Sequence, residues 1–170
     1  MLIFLNKPFD DNIVEEFIDK VNSATNVDSI TVYLSSFGGD VSITPILRDI
    51  IQNYQMKLIA CSSLESSALD LFLTTNTPRT VLDETVGMFH RTYLTDVNIY
   101  NDFKPLNKNK SLLNIWKSEP VCLSLVENFL ELSPTDKKKV KNGENIYLNH
   151  NQLREALKKS IKYFDKNLVD

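Results

Sequence analysis

Glycine and cysteine are scarce in this sequence, with four glycines and two cysteines among 170 residues. Cys61 and Cys122 stand in apolar surroundings without a CxxC pattern. Both are predicted to be buried thiols in a reducing compartment. No apolar run is long enough to cross a bilayer, so we expect no membrane partner. The first residues also lack the charged and apolar segments of a signal peptide, which predicts a cytoplasmic location.

An excess of charge of one sign is lacking as well, because 22 acidic residues face 19 basic residues and the net charge is −3. Such a balance provides no electrostatic attraction for nucleic acid, so we expect no nucleic-acid partner. The two histidines, His90 and His150, are far apart and no ligand pattern joins them, which predicts neither a metal ion nor another cofactor. The GxSxG motif of the α/β-hydrolases is also absent.

The sequence does contain a regular alternation of short apolar strands and amphipathic helices over residues 1–90. Apolar, β-branched runs predict the strands, and apolar residues at helical spacing predict the helices between them. Connections this short imply right-handed crossovers and a parallel sheet, so the predicted fold class is α/β. The predicted strands are Leu2–Leu5, Ser29–Leu34, Met56–Cys61, Thr80–Leu82 and Val86–Phe89, and the predicted helices lie around Ile13–Val21, Ile43–Ile51 and Ser66–Thr74.

Three features follow predicted strands, where α/β proteins gather functional groups: the pair Gly38-Gly39, Ser67 and His90. Adjacent glycines let a backbone amide approach an oxyanion, although a simple turn needs glycine too. Ser67 stands at a helix start, where free amides favour negative charge and where a serine also serves as an ordinary cap. His90 fits either a base for a serine hydroxyl or the polar end of a strand.

Three segments carry these features in order, and they resemble the proteolytic subunit of the Clp protease family. They are IFLNKPFDDNIVEEFIDKV, ITVYLSSFGGDVSITPILRDII and LIACSSLESSALDLFLTTNTPRTVLDETVGMFHR. The resemblance covers roughly residues 1–92 and implies a ClpP/crotonase-like β/α spiral, with a helical C-terminal extension after it. It returns in GENIYLNHNQLREAL, which is similar to the stretch that holds the family's third catalytic residue and the helix after it.

The resemblance implies a catalytic site in this chain. Ser67 takes the position of the nucleophile, and His90 takes the position of the base 23 residues later. The amides of Gly39 and Ala68 would form the oxyanion hole. Asn145 stands where the family usually has an aspartate, and it would orient the imidazole of His90.

Departures from the family pattern predict a weakly poised site. Residues 63–69 read SLESSAL where the family has Gly-Gln-Ala-Ala-Ser-Met-Gly, so two glycines are lost and Glu65 is gained. The carboxylate of Glu65 would oppose negative charge near the oxyanion. An asparagine can hold a histidine tautomer, but it stabilises imidazolium less than a carboxylate does. The family's glycine-rich pairing strand is replaced by TYLTDVNIYNDF, which predicts a different assembly.

We predict one domain in three parts. Residues 1–92 form the β/α core, residues 93–134 a divergent helical region in the place of the family's handle, and residues 135–170 a short strand and the C-terminal helix. The strand is predicted at Ile146–Leu148, and Asn149 with Gln152 predicts a capping box after it. Helices predicted at Leu112–Trp116 and Val121–Leu132 carry more apolar surface than a small layer can bury, which predicts a homo-oligomer.

The function that the resemblance implies is an ATP-dependent, Clp-type serine endopeptidase. Its substrates would be peptides or unfolded proteins, and its expected partner is an AAA+ ATPase. Two alternatives stay open. One is a catalytically impaired Clp-like subunit or scaffold, and the other is a crotonase-type acyl-CoA enzyme, which shares the spiral fold.

Overall fold

The computed structural model describes residues 1–25, 29–90, 93–94, 104–105 and 120–167. Its first half contains β1 (Leu2–Leu5), α1 (Asp11–Asn22), β2 (Thr31–Ser36), α2 (Ile43–Asn53), β3 (Lys57–Glu65), α3 (Ser67–Thr74), β4 (Arg79–Val81) and β5 (Val86–Phe89). Its second half contains β6 (Tyr93–Leu94), β7 (Lys104–Pro105), α4 (Pro120–Leu130), α5 (Pro134–Asn142), β8 (Ile146–Leu148) and α6 (His150–Asn167). The helix predicted at Leu112–Trp116 lies outside the described residues.

One sheet organises the molecule, with the strand order β1-β2-β3-β5-β8 and with β4 paired to β3. The strands of the first half pair in parallel. Helices α1, α2 and α3 return the chain between β1 and β2, β2 and β3, and β3 and β4, while β5 continues in the direction of β4 and pairs farther along β3. The last strand, β8, pairs antiparallel with β5 and sets Ile146 opposite Phe89. The predicted α/β class with a mostly parallel sheet is therefore confirmed.

Strand β3 changes partners part-way along its length. Its first half pairs with β4 through Leu58–Ala60, and its last residues, Ser63–Glu65, pair with β5. Between the two halves, β2 advances by two residues from Leu34 to Ser36 while β3 advances by four from Ala60 to Leu64. This bulge includes Ser62 at a φ of 56°. The sequence prediction ended β3 at Cys61, because the polar residues of the bulge hide the strand that continues beyond it.

Local capping signals place two helices where the sequence predicts them. Asp10 caps α1, since its Oδ1 accepts a hydrogen bond of 3.0 Å from the amide of Ile13. Asn149 and Gln152 form the predicted capping box before α6, and each side chain accepts from the other residue's amide at 3.0 Å. Both caps satisfy amides that the first turn of a helix leaves without partners.

Helix α3 lies at the centre of the core, and every residue from Ser67 to Thr74 is buried. Helix α4 packs against α3 and α6. Val126 and Phe129 of α4 are buried within the subunit, so this part of the apolar surface needs no second chain to cover it. No helix in the described part of the chain is long and apolar enough to span a membrane.

Candidate active site

The loop after β2 approaches two other segments so closely that only glycine fits at its turn. Gly38 has a φ of 82° and Gly39 a φ of 149°. A Cβ atom on Gly38 would lie 2.8 Å from the Oγ of Ser67, and one on Gly39 would collide with the carbonyl oxygen of Phe9. The amide of Phe9 donates to the carbonyl of Gly38 at 2.9 Å and fixes the loop. The glycine pair therefore serves close approach as well as the turn.

Ser67 is the first residue of α3, and only 2% of it is exposed. Its Oγ donates a hydrogen bond of 3.3 Å to the carbonyl of Gly39. The position of the helix cap is taken by Ser66, whose side chain makes no capping hydrogen bond. Ser67 is thus not the cap of its helix, and its hydroxyl is directed to the glycine loop instead.

Ser66 holds the backbone in an unusual conformation just before this hydroxyl. Its φ of 52° and ψ of −124° lie where residues other than glycine are rare. Such conformations cost about 1–3 kcal/mol and gather at functional sites. The amide of Ser66 donates to the carbonyl of Met88 at 2.9 Å, which ties the strained turn to β5.

Two backbone amides near Ser67 have no acceptor inside the described part of the protein. Within the described residues, the backbone amides of Gly39 and Ala68 donate to no hydrogen-bond acceptor. Ala68 belongs to the first turn of α3, where the amides carry the positive end of the helix dipole. Because the hydroxyl of Ser67 contacts Gly39 and Ala68 follows Ser67 in the chain, both amides are candidate donors to an oxyanion at this position.

His90 directly follows β5, one residue after Phe89, and is half-buried. The pairing of Glu65 with Met88 aligns the ends of β3 and β5, so Ser67 and His90 lie at the same edge of the sheet. Burial lowers the pKa of His90 from its ordinary value, and the negative charge of Glu65 partly opposes this shift. A neutral imidazole at neutral pH is the form that accepts a proton.

Asn145 lies one step beyond the ladder that joins β8 to β5. Since Ile146 is opposite Phe89, continuing the antiparallel register sets Asn145 across from His90. The residue is exposed, as is the neighbouring Glu144. Residues that share a cross-strand position project to the same face of a sheet.

A polar cluster between α2 and α3, formed by Arg48, Asp70 and Thr74, was not predicted from the sequence. Arg48 donates from Nη1 to the Oγ1 of Thr74 at 3.1 Å. Burial raises the pKa of Asp70 to about 6, against the opposing effects of Arg48 and Thr74. Asp70 Oδ1 and Thr44 Oγ1 are buried without a hydrogen-bond partner in the described part of the chain. The one available signal was an aspartate within the apolar stretch SALDLFLT.

The cluster joins the two halves of the candidate site. Helix α2 follows the glycine loop, and α3 begins at Ser67. The described residues contain no group of three or more histidine, cysteine, aspartate or glutamate side chains placed to hold a metal ion.

No protein-family model and no curated protein matches the sequence. Among solved structures, an asparagine-to-aspartate mutant of ClpP1 from Listeria monocytogenes matches with a TM-score of 0.63. The match covers 91% of this chain and 86% of that chain, at 15% sequence identity. The chain has a ClpP-like fold. An identity this low shows the fold alone, and the roles of Ser67, His90, Asn145, Gly39 and Ala68 therefore remain predictions.

Proposed function

We propose that this chain is the proteolytic subunit of an ATP-dependent, Clp-type serine endopeptidase. The observation that carries the proposal is the junction between the glycine loop and the start of α3. It combines the buried hydroxyl of Ser67 with the amides of Gly39 and Ala68, neither of which has an acceptor in the described residues. A base candidate, His90, lies at the same edge of the sheet.

In the proposed reaction, the Oγ of Ser67 attacks the carbonyl carbon of a peptide bond and its proton passes to His90. The tetrahedral oxyanion accepts hydrogen bonds from the amides of Gly39 and Ala68. His90 then gives its proton to the departing amine, which leaves an acyl group on Ser67. A water molecule, deprotonated by His90, releases the acid product and restores the serine.

The resting hydroxyl is held in a way that attack can undo. Its bond to the carbonyl of Gly39, at 3.3 Å, is longer than the 2.7–2.8 Å usual for hydroxyl donors and is correspondingly weak. Rotation of the Ser67 side chain from this carbonyl toward His90 therefore costs little free energy. Asn145, across from His90 in the register, is proposed to orient the imidazole.

We further propose a homo-oligomer that receives peptides or unfolded proteins from an AAA+ ATPase. Leu2 and Phe4 of β1 and Tyr147 of β8 expose most of their side chains, as expected of surfaces covered on assembly. Cys61 is a free thiol whose pKa is raised by burial. An unreactive free thiol fits a reducing compartment such as the cytoplasm.

A catalytically impaired Clp-like subunit is the second candidate. It is favoured by Asn145, because an exposed neutral amide stabilises the imidazolium of His90 less than a carboxylate would. Such a subunit would keep the fold and its assembly surfaces without hydrolysing peptides.

Labelling of the purified chain with a fluorophosphonate probe separates the two candidates, because it requires the nucleophile, the base and the oxyanion hole together. We expect the wild type to be labelled, Ser67→Ala and His90→Ala to lose labelling, and the matched control Ser66→Ala to keep most of it. Labelling that moves to Ser66 would reassign the nucleophile. A folded wild type that takes up no probe would reject the peptidase in favour of the impaired subunit.

A further inference from the structure

Glu65, the last residue of β3, brings a carboxylate to the strand face that points toward His90. Glu65 pairs with Met88 in parallel register, and residues paired in this way project to the same face. His90 follows Met88 by two residues, so it projects to that face as well. The sheet therefore sets Glu65 and His90 diagonally across two adjacent strands.

A hydrogen bond orients the carboxylate of Glu65. The hydroxyl of Ser63, two residues earlier on the same face of β3, donates to its Oε1 at 2.7 Å. Both side chains are half-buried. A fixed and partly buried charge acts on its neighbours more strongly than a solvated one, because less water screens it.

The other groups that face His90 from the neighbouring strand β8 are not carboxylates. The register sets Asn145 and Tyr147 on that face, an amide and an exposed phenol. Glu144 precedes Asn145 outside β8, and its amide donates to the carbonyl of Lys139 at the end of α5. Within the described residues, Glu65 is the carboxylate whose charge acts on the pKa of His90.

We propose that Glu65 is a positioning residue that supplies His90 with the negative charge that Asn145 lacks. The inference rests on the proposed function and deepens it. When Ser67 loses its proton to His90, the imidazolium that forms is stabilised by the carboxylate on the adjacent strand. The same carboxylate opposes the oxyanion, as the sequence predicts. However, Ser63 orients it on the strand, whereas the proposed oxyanion donors belong to α3 and the glycine loop.

The experiment is an NMR titration of the imidazole carbons in wild type, Glu65→Gln and the matched control Glu144→Gln. The chain contains two histidines, so both are easily assigned, and His150 at the opposite end of the β5–β8 ladder serves as the reference. Glu65→Gln should lower the pKa of His90, because a charge that favours imidazolium is removed, while His150 stays unchanged. Glu144→Gln should leave both values as they are. Glu65→Asp keeps the charge and should restore most of the pKa of His90.

Peptide hydrolysis measured against pH supplies the second readout. In Glu65→Gln the acidic limb of kcat/KM should move to lower pH, and its plateau should fall about tenfold, the effect expected for one partly screened charge on the adjacent strand. The Tm of Glu65→Gln should be nearly the same as that of the wild type, which distinguishes this role from a structural one.

An unchanged pKa of His90 in Glu65→Gln, or an equal fall in Glu144→Gln, would overturn the inference while leaving the peptidase intact. A fall confined to Glu65→Gln in a chain that hydrolyses no peptide would uphold the coupling and reject only the proposed function. If Glu65→Gln does not fold, the carboxyl carbon of Glu65 in the wild type answers the same question. It should show a second inflection at the pH where His90 titrates, and a single inflection would refute the coupling.

Discussion

The carboxyl group of Asp70, buried between α2 and α3, should make the stability of this protein depend on pH. Burial raises its folded pKa from 3.8 to about 6, and 9% of the residue remains exposed. The folded state therefore binds the proton more tightly than the unfolded chain. The stability due to the protonated form is complete below the unfolded pKa of 3.8 and is lost as the pH rises through 6. The difference between the two pKa values corresponds to about 3 kcal/mol.

Asp70→Asn tests this reasoning because the amide keeps the shape of the carboxyl group and cannot ionise. In urea unfolding between pH 4 and pH 8, the free energy of unfolding of the wild type should fall relative to that of the variant as the pH rises. The fall should reach about 3 kcal/mol and occur mostly between the two pKa values. Asp49→Asn, at an exposed position on α2, is the matched control and should follow the wild type. The reasoning would be refuted if the difference in free energy of unfolding between the wild type and Asp70→Asn stayed constant from pH 4 to pH 8. It would also be refuted if the wild type lost stability relative to the variant as the pH fell.

Further predictions concern the C-terminal end of α3, the glycine loop, the partner of His90 and assembly. Arg79→Met should lower the free energy of unfolding by about 3–5 kcal/mol in urea titrations, because the buried Arg79 donates to the carbonyls of Phe72 and Leu73 and to the hydroxyl of Ser160. A loss below about 1 kcal/mol would contradict that role. Gly38→Ala should abolish fluorophosphonate labelling of the folded fraction, because the new Cβ would meet Ser67 Oγ at 2.8 Å; normal labelling would show that the loop can yield. Asn145→Asp should raise the peptidase rate, and an unchanged rate in a folded variant would exclude Asn145 as the orienting residue. Light scattering during size exclusion at micromolar concentration should give a homo-oligomer, whereas a monomer would rule out the proposed assembly.

The sequence predicted the fold well wherever the signal is local. Periodic apolar residues located the alternating strands and helices of residues 1–90, and the capping box of Asn149 and Gln152 located the start of α6. The far half of β3 was missed because its bulge is polar and because its partner there, β5, lies more than twenty residues away in the chain. Pairing with a distant strand leaves little trace in local composition.

The edge of the sheet that carries the candidate site residues was predictable from the sequence, whereas the charges around these residues were not. The edge that carries Ser67 and His90 follows from the order of strands, since functional groups gather at carboxyl ends. The cluster around Asp70 could not be foreseen, because Arg48 reaches it from a separate helix and looks like a polar interruption of an apolar stripe. For Glu65, the sequence predicted a charge that opposes the oxyanion, while the strand register adds a neighbour, His90, that the same charge favours.

The bulge in β3 also constrains how the chain can change length at this point. Side chains alternate between faces with a period of two, and two extra residues are an even number. Ala60 before the bulge and Leu64 after it consequently both remain buried, while everything that follows moves about 7 Å farther along the strand. Insertion or deletion of a single residue here would reverse that parity, turning Leu64 outward and Glu65 into the core. Length changes between Ala60 and Leu64 should thus be tolerated only in pairs, and even a paired change would shift the start of α3 relative to the glycine loop.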